Sequence, residues 1–321
     1  MTKLHTERFP TLDTRFRVHE EVEAALEDGR PVVALESTII AHGLPWPENY
    51  EIGRALEAAV REHGAVPATI AVVDGLIAVG MYKDELERMA RAQTGEGPAW
   101  AKTGAADLAV RLAVGGNGAT TVSATAYAAA RAGIRVFSTG GIGGVHRGDA
   151  NDVSSDLTTL SRTPIAVVSA GMKSILDLPR TLEMLETLGV PVIGVRTDEL
   201  PAFYTTTSGL RLEHRVETAS EAARVLHHHF ALHASAVILA NPIPKAHALD
   251  RELIERAVEA ALADAEQKKI RGKALTPHML GYVAKATNKR SLQANRALAI
   301  SNAELAADVA GALLALDRPR A

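Results

Sequence analysis

Cysteine is absent from all 321 residues. That excludes disulfides, thiolate catalysis and any zinc site built on sulfur. A basic excess is missing too: 35 Lys and Arg face 38 Asp and Glu, a formal net charge of −3. Nothing in that balance favours a polyanion such as DNA or RNA as partner. No apolar run reads as long enough to span a bilayer. The opening "MTKLHTERFPTLDTRFRVHEEV" lacks the apolar core of a secretory signal. The expectation is a cytoplasmic protein that binds neither nucleic acid nor membrane. Repeats, low-complexity tracts and linkers are also missing. One domain over 1–321 is expected, with roughly twenty peripheral residues at the N-terminus.

What is present is ordinary globular composition, 47% hydrophobic and 23% charged. Apolar runs alternate with helical patterns. "PVVALEST" reads as a strand from Pro31, and "PENYEIGRALEAAVREHG" as a helix with Pro47 near its start and Gly64 past its end. "ATIAVVDGLIAVG" is two apolar runs around Asp74 and Gly75, a hairpin signal. "LAVRLAV" reads as a strand, followed by a helix and the strand "IRVF". "PIAVVSAG", "VPVIGVRT" and "ASAVILANP" read as three buried strands with helices between them. Helices are predicted over 251–267, 277–285 and 292–316. The predicted fold is a layered α/β/α single domain, with a mixed, mostly parallel central sheet and a helical C-terminal tail.

In open α/β sheets, ligands gather beyond the carboxyl ends of the strands. The polar residues there are Glu36, Ser37 and Thr38, the 139–144 segment, Lys173, Thr197 and Asp198, and Asn241 and Pro242. The glycine-dense "STGGIGGVHRG" lets main-chain N–H groups approach a phosphate, with His146 and Arg147 as further donors. A tight structural turn explains it as well. It is neither the dinucleotide fingerprint nor a Walker loop. In "NDVSSDL", Ser154 or Ser155 can cap a helix running through Leu160. A divalent ion on one carboxylate and several waters is the functional alternative, and spacing alone favours the cap.

Glu36, at the end of an apolar run, suits a partly desolvated proton donor, or an ion-paired or capping glutamate. Lys173 reads as the start of the helix "SILDLPRTLEMLETLG". A helix start is a poor place for a cation. Such a lysine is either a solvated surface charge or an amine kept neutral for attack on a carbonyl. Lys102, before another apparent helix start, fits a phosphate contact or a surface charge. The histidines 227–229 and 233 read as a solvated helix face rather than a metal site. Trp46 and Trp100 read as packing residues or site walls.

Taken together, these segments resemble the pseudouridine-5′-phosphate glycosidases. The resemblance runs over about 32–302. It rests on "VALESTIIAHGLPWPEN", "GAVPATIAVVDG", "NGATTVSAT", "FSTGGIGGVHRG", "DVSSDL", "SAGMKSILDLPRT", "GVPVIGVRTDELPAFY" and "ANPIP". It implies reversible cleavage of pseudouridine 5′-phosphate to uracil and ribose 5-phosphate. It further implies a divalent metal, usually Mn2+, a homotrimer, and a form without the fused sugar-kinase domain of some members. By position it implies Glu36 as proton donor, Lys173 as Schiff-base lysine and Lys102 as a substrate contact. It places the metal on Asp152. Substrate contacts fall on Ser154, Ser155 and Asp156, with Asp156 a rival for the metal. Val122 matches a substrate-lining position, and Thr139, His146 and Asn295 match phosphate-side positions. Met172, where the pattern often has a small residue, and a short 149–151 loop are departures.

The chemistry explains why an acid and an amine belong together. Ordinary glycosidases use two carboxylates and protonate a leaving oxygen. Pseudouridine joins sugar to base through carbon, so an amine bonded to C1′ must accept the electrons as an imine. Ring opening needs a proton on the ring oxygen. Two rival expectations share these residues: a Schiff-base lyase or aldolase on another sugar phosphate, and a non-catalytic binder of phosphorylated metabolites. A family member recruited to pigment biosynthesis is a third.

Overall fold

The computed structural model describes residues 14–148 and 151–317. Its strands are β1 (Phe16–Val18), β2 (Val32–Leu35), β3 (Val66–Val73), β4 (Leu76–Val79), β5 (Ala101–Thr103), β6 (Gly118–Thr120), β7 (Val136–Ser138), β8 (Ala166–Ser169), β9 (Val192–Val195), β10 (His214–Val216) and β11 (Val237–Ala240). The helices are α1 (Glu20–Glu27), α2 (Glu48–Glu62), α3 (Lys83–Arg91), α4 (Leu108–Ala113), α5 (Val122–Arg131), α6 (Ser155–Leu160), α7 (Leu178–Thr187), α8 (Ala219–Leu232), α9 (Arg251–Gln267), α10 (Leu275–Ala286) and α11 (Arg290–Asp317).

One sheet runs β1-β4-β3-β2-β7-β8-β11-β9-β10, and β6, beside β3, also carries β5. From β3 to β10 the strands are parallel. Every residue of β2, β3, β8, β9 and β11 is buried. Strands covered on both faces need such continuous apolar runs. β3 and β4 form the expected antiparallel hairpin. Its turn residues Asp74 and Gly75 have φ 47° and 81°, the geometry a two-residue turn needs to follow the sheet twist.

β2 lies between β3 and β7. The chain leaves β2 toward β3 on one side, and β7 arrives on the other. That reversal is where a parallel sheet opens a crevice beyond its strand ends.

Two expectations are corrected. "LAVRLAV" is helical (α4), and the strand follows as β6. Leu108 and Leu112, four apart, face the core, whereas Val110 and Val114 are exposed. That is helical spacing in a run too short to show its period. The C-terminal stretch is helical as expected, ending in the long α11. By length and apolarity α11 could cross a membrane, contrary to the sequence reading. It packs instead on α2, α8 and strands β2, β7 and β8, burying Leu298, Ala303, Ala306, Val309 and Leu313.

Leu298→Ala therefore lowers stability by about 2–5 kcal/mol, read in a denaturant titration. A loss below about 0.5 kcal/mol would mark α11 as peripheral.

Candidate active site

Beyond the ends of β2, β7 and β8 lies a cavity of about 70 Å³, lined among others by Glu36, His42, Lys102, Lys173, Phe203 and Asn295. Glu36 follows β2 directly and is 7% exposed. The Thr38 hydroxyl donates to its Oε2 at 2.6 Å, and the Thr139 hydroxyl donates to its Oε1. Both carboxylate oxygens are therefore held in place by hydroxyl donors.

Lys102 arrives by a different route. It stands on β5, opposite Ala119 of β6, and a helical turn follows from Ala105, as expected. β6 pairs with the far half of β3, where β2 has already ended. The Ser37 hydroxyl accepts the Thr120 N–H at 2.8 Å, joining β6 end-on to β2. Lys102 thus lies beyond the end of β2.

Lys173 is placed by main chain. Past their last paired residues, the segments leaving β7 and β8 remain joined. Ala170 N–H donates to Gly140 O (2.9 Å), Ile142 N–H to Gly171 O (3.1 Å) and Lys173 N–H to Ile142 O (3.2 Å). The expected helix start is corrected. α7 begins at Leu178, with Asp177 as its cap. A helix dipole fades within its first turn, so it does not act on Lys173. The ammonium shares the cavity instead with Lys102 and one carboxylate, Glu36.

The glycine segment packs rather than cradles. A Cβ on Gly141 would lie 2.7 Å from the Phe203 ring, and one on Gly143 would collide with Ser154. The N–H groups of Gly143 and Val145 donate to Asp156 Oδ2 (2.9 Å) and Thr181 Oγ1 (3.0 Å). Only Gly140 and Gly141 of this segment line the cavity among the described residues. Arg147 is engaged elsewhere, on Glu255 at 2.7 Å and the carbonyls of Ser174 and Leu176. The structural turn wins over the phosphate loop for most of this stretch.

In the following segment, Ser154 caps α6, as its spacing suggested. The Asp156 carboxylate is 5% exposed and accepts N–H groups from Ser123 and Gly143, both at 2.9 Å. It locks the start of α5 to the glycine segment. Ser155 lies within 3.3 Å of the Ser123 hydroxyl. Val122 opens α5 with its side chain fully buried, so its main chain is what it can offer a ligand. Thr139 donates its hydroxyl to Glu36. Met172 is fully buried in the core and does not shape the cavity wall. Of the short 149–151 loop, Asp149 and Ala150 lie outside the described residues.

The family model described as "Indigoidine synthase A like protein" matches residues 21–312. A pseudouridine-5′-phosphate glycosidase of Caldanaerobacter subterraneus subsp. tengcongensis is 54% identical over 294 residues, covering 91% of this chain and 94% of that protein. The chain belongs to the pseudouridine-5′-phosphate glycosidase family. A member of this family from Arabidopsis thaliana is 48% identical over 300 residues, covering 92% and 90% of the two chains. Among solved structures, the prealnumycin C-glycosynthase AlnA in complex with ribulose 5-phosphate is 40% identical. It superposes with a TM-score of 0.86 over 95% of this chain and 99% of its own. An indigoidine synthase A (IdgA)-like protein from Thermotoga maritima, 36% identical, also gives 0.86 over 96% and 100%.

Within this family fold, Glu36, Lys102, Lys173 and Asn295 line the cavity. His146 and Asp152 line a separate open cleft instead. Burial holds the His146 imidazole below its usual pKa. Asp152 opposes that shift, and Lys102 and Lys173 reinforce it. Asp152 is partly exposed, and its side chain accepts no hydrogen bond among the described residues. No group of three or more His, Asp or Glu able to hold a metal occurs among the described residues. This donor set fits a hard cation held by one carboxylate and completed by water. Asp156, with both oxygens taken, fits that role less well.

Three lining residues had weak sequence signals. Thr38 stood in a strand-end cluster, whereas His42 and Phe203 had none beyond their segments. Lost solvation lowers the His42 pKa, Lys102 lowers it further, and a hydrogen bond with the Trp100 main chain opposes both.

The His146 ring therefore titrates below 6.5. Its folded value lies under its unfolded one, so its contribution to stability is complete above about pH 6.5 and is lost as pH falls through the folded value. An NMR titration of the ring checks this. A midpoint at or above 6.5 contradicts the environment described.

Proposed function

We propose that the protein reversibly cleaves the C–C glycosidic bond of pseudouridine 5′-phosphate to uracil and ribose 5-phosphate through a lysine–sugar Schiff base. The observation that carries this reading is one clamped carboxylate and one lysine amine in the same small cavity. Family membership gives the substrate class, and AlnA, with ribulose 5-phosphate bound, is a C-glycosynthase on the same fold.

Glu36 gives a proton to the ring oxygen, and the C1′–O bond opens. The Lys173 amine bonds to C1′, losing a proton. The uracil carbon takes up a proton. The C1′–C5 bond breaks as the nitrogen lone pair forms the iminium. Water adds, ribose 5-phosphate leaves, and Lys173 is restored. Thr38 and Thr139 keep the Glu36 carboxyl in one orientation, which positions its proton. Lys102 binds the substrate. His146, Asn295, Ser154, Ser155, Asp156 and the Val122 main chain complete the substrate surroundings. Asp152 would hold a divalent ion, Mn2+ by resemblance, and the bound ion supplies positive charge that offsets the phosphate. A cytoplasmic homotrimer is part of the same reading.

Uracil and ribose 5-phosphate, incubated with the enzyme and Mn2+, yield pseudouridine 5′-phosphate, and a chelator suppresses the yield. Glu36→Gln lowers turnover by about 10²–10⁴. Thr139→Val lowers kcat more than it raises KM, and Thr139→Ser recovers most of the loss. Sugar-phosphate turnover without incorporation of uracil would indicate an aldolase. A rise in Tm without product would indicate a binder.

A further inference from the structure

The segments "VRTDELPAFY" and "ANPIP" give the cavity only Phe203, yet the fold brings them together. Arg196 follows β9, and Asn241 follows its neighbour β11. Between them lies an open cleft of about 450 Å³ whose lining includes Arg196, Lys245, Thr206, Thr207, Asn241 and Ser301. Two cations line it, and no carboxylate does. The adjacent acids are turned elsewhere. Asp198 pairs with Arg215 at 2.6 Å, and Glu199 accepts the Gly209 N–H at 3.2 Å.

The cleft sets exposed Arg196 and Lys245 around one buried amide. Asn241 is 2% exposed. Its Nδ2 donates to Asn302 Oδ1 (3.0 Å) and Ser301 Oγ (3.2 Å), and its Oδ1 accepts from Arg196 at 3.4 Å. Ser301, accepting from Asn241, keeps its O–H to donate. Arg196 has φ 58°, uncommon for a residue with a side chain. The turn it makes brings the Thr197 carbonyl back against Gly194, where a Cβ could not fit.

We propose that this cleft binds a phosphate group, free or as a monoester, at a site separate from the catalytic cavity. Two cations and several hydroxyls, without an opposing acid, are the donor set a phosphate dianion requires. The cleft shares no lining residue with the cavity. β11 and β9 stand three and four strands from β2, about 14–19 Å at the usual spacing. The two places are connected. Asn302 Nδ2 donates to Thr139 O at 2.9 Å, and the Thr139 hydroxyl holds Glu36. One hydrogen-bonded chain therefore runs from the cleft wall to the proton donor.

Calorimetric titration of the full chain with inorganic phosphate at low ionic strength tests the site without any turnover, so its failure is distinct from failure of the proposed reaction. Wild type and Glu36→Gln share a binding component that Lys245→Ala weakens about tenfold or more, and ribose 5-phosphate competes for it. In phosphate-free buffer, Lys245→Ala keeps the wild-type KM for pseudouridine 5′-phosphate. Phosphate binding unchanged in both Lys245→Ala and Arg196→Ala, or absent from wild type, overturns the proposal. A raised KM in Lys245→Ala also overturns it, because the cleft would then hold the substrate's own phosphate.

Discussion

The site depends on main-chain pairing that outlasts the strands. β7 and β8 end at Ser138 and Ser169, but the segments after them stay hydrogen-bonded as far as Lys173. This pairing fixes Lys173 in register with the glycine segment, and Thr139 at the head of that segment holds Glu36. Amine and acid thus meet in one hydrogen-bonded frame, Lys173 through main-chain bonds and Glu36 through the Thr38 and Thr139 hydroxyls. Backbone pairing is a rigid support, and a covalent step between an amine and a sugar carbon tolerates little misplacement.

Around this frame, three buried side chains pair with main chain or with each other. Asp156 joins α5 to the glycine segment through two main-chain N–H groups. Asn302, fully buried in α11, donates to Thr139 O and accepts from Asn241. Asn49 donates to Ile40 O and Ala90 O, steadying the turn that carries His42. Unpaired, each such amide would cost about 1–3 kcal/mol. Paired, each confines the loops to one arrangement. The cavity itself holds two lysines and a single carboxylate among its lining residues. That excess of positive charge suits a phosphorylated substrate.

Much of this was legible in the amino-acid order. β8, β9 and β11 show as continuous apolar runs because both their faces are covered, and Asp74 with Gly75 announces the hairpin. Glu36 and Lys173 stand out as charged residues where such runs end. What was not legible depends largely on contacts distant in sequence. The strand under Lys102 went unread because three-residue strands such as β5 and β6 have no detectable period. The glycine segment read equally as phosphate loop or structural turn, because Phe203, Ser154 and Thr181, which require its bare backbone, lie outside it. Lys173 was placed at a helix start, although Asp177 followed by Pro179 is the stronger start signal.

Borohydride trapping tests the covalent bond between Lys173 and the sugar. The enzyme is incubated with ribose 5-phosphate, reduced and digested, and its peptides are weighed. The account predicts one reduced ribose 5-phosphate adduct, on the Lys173 peptide, with parallel loss of activity. An active enzyme that yields no adduct there, or carries it on Lys102 instead, would contradict the account.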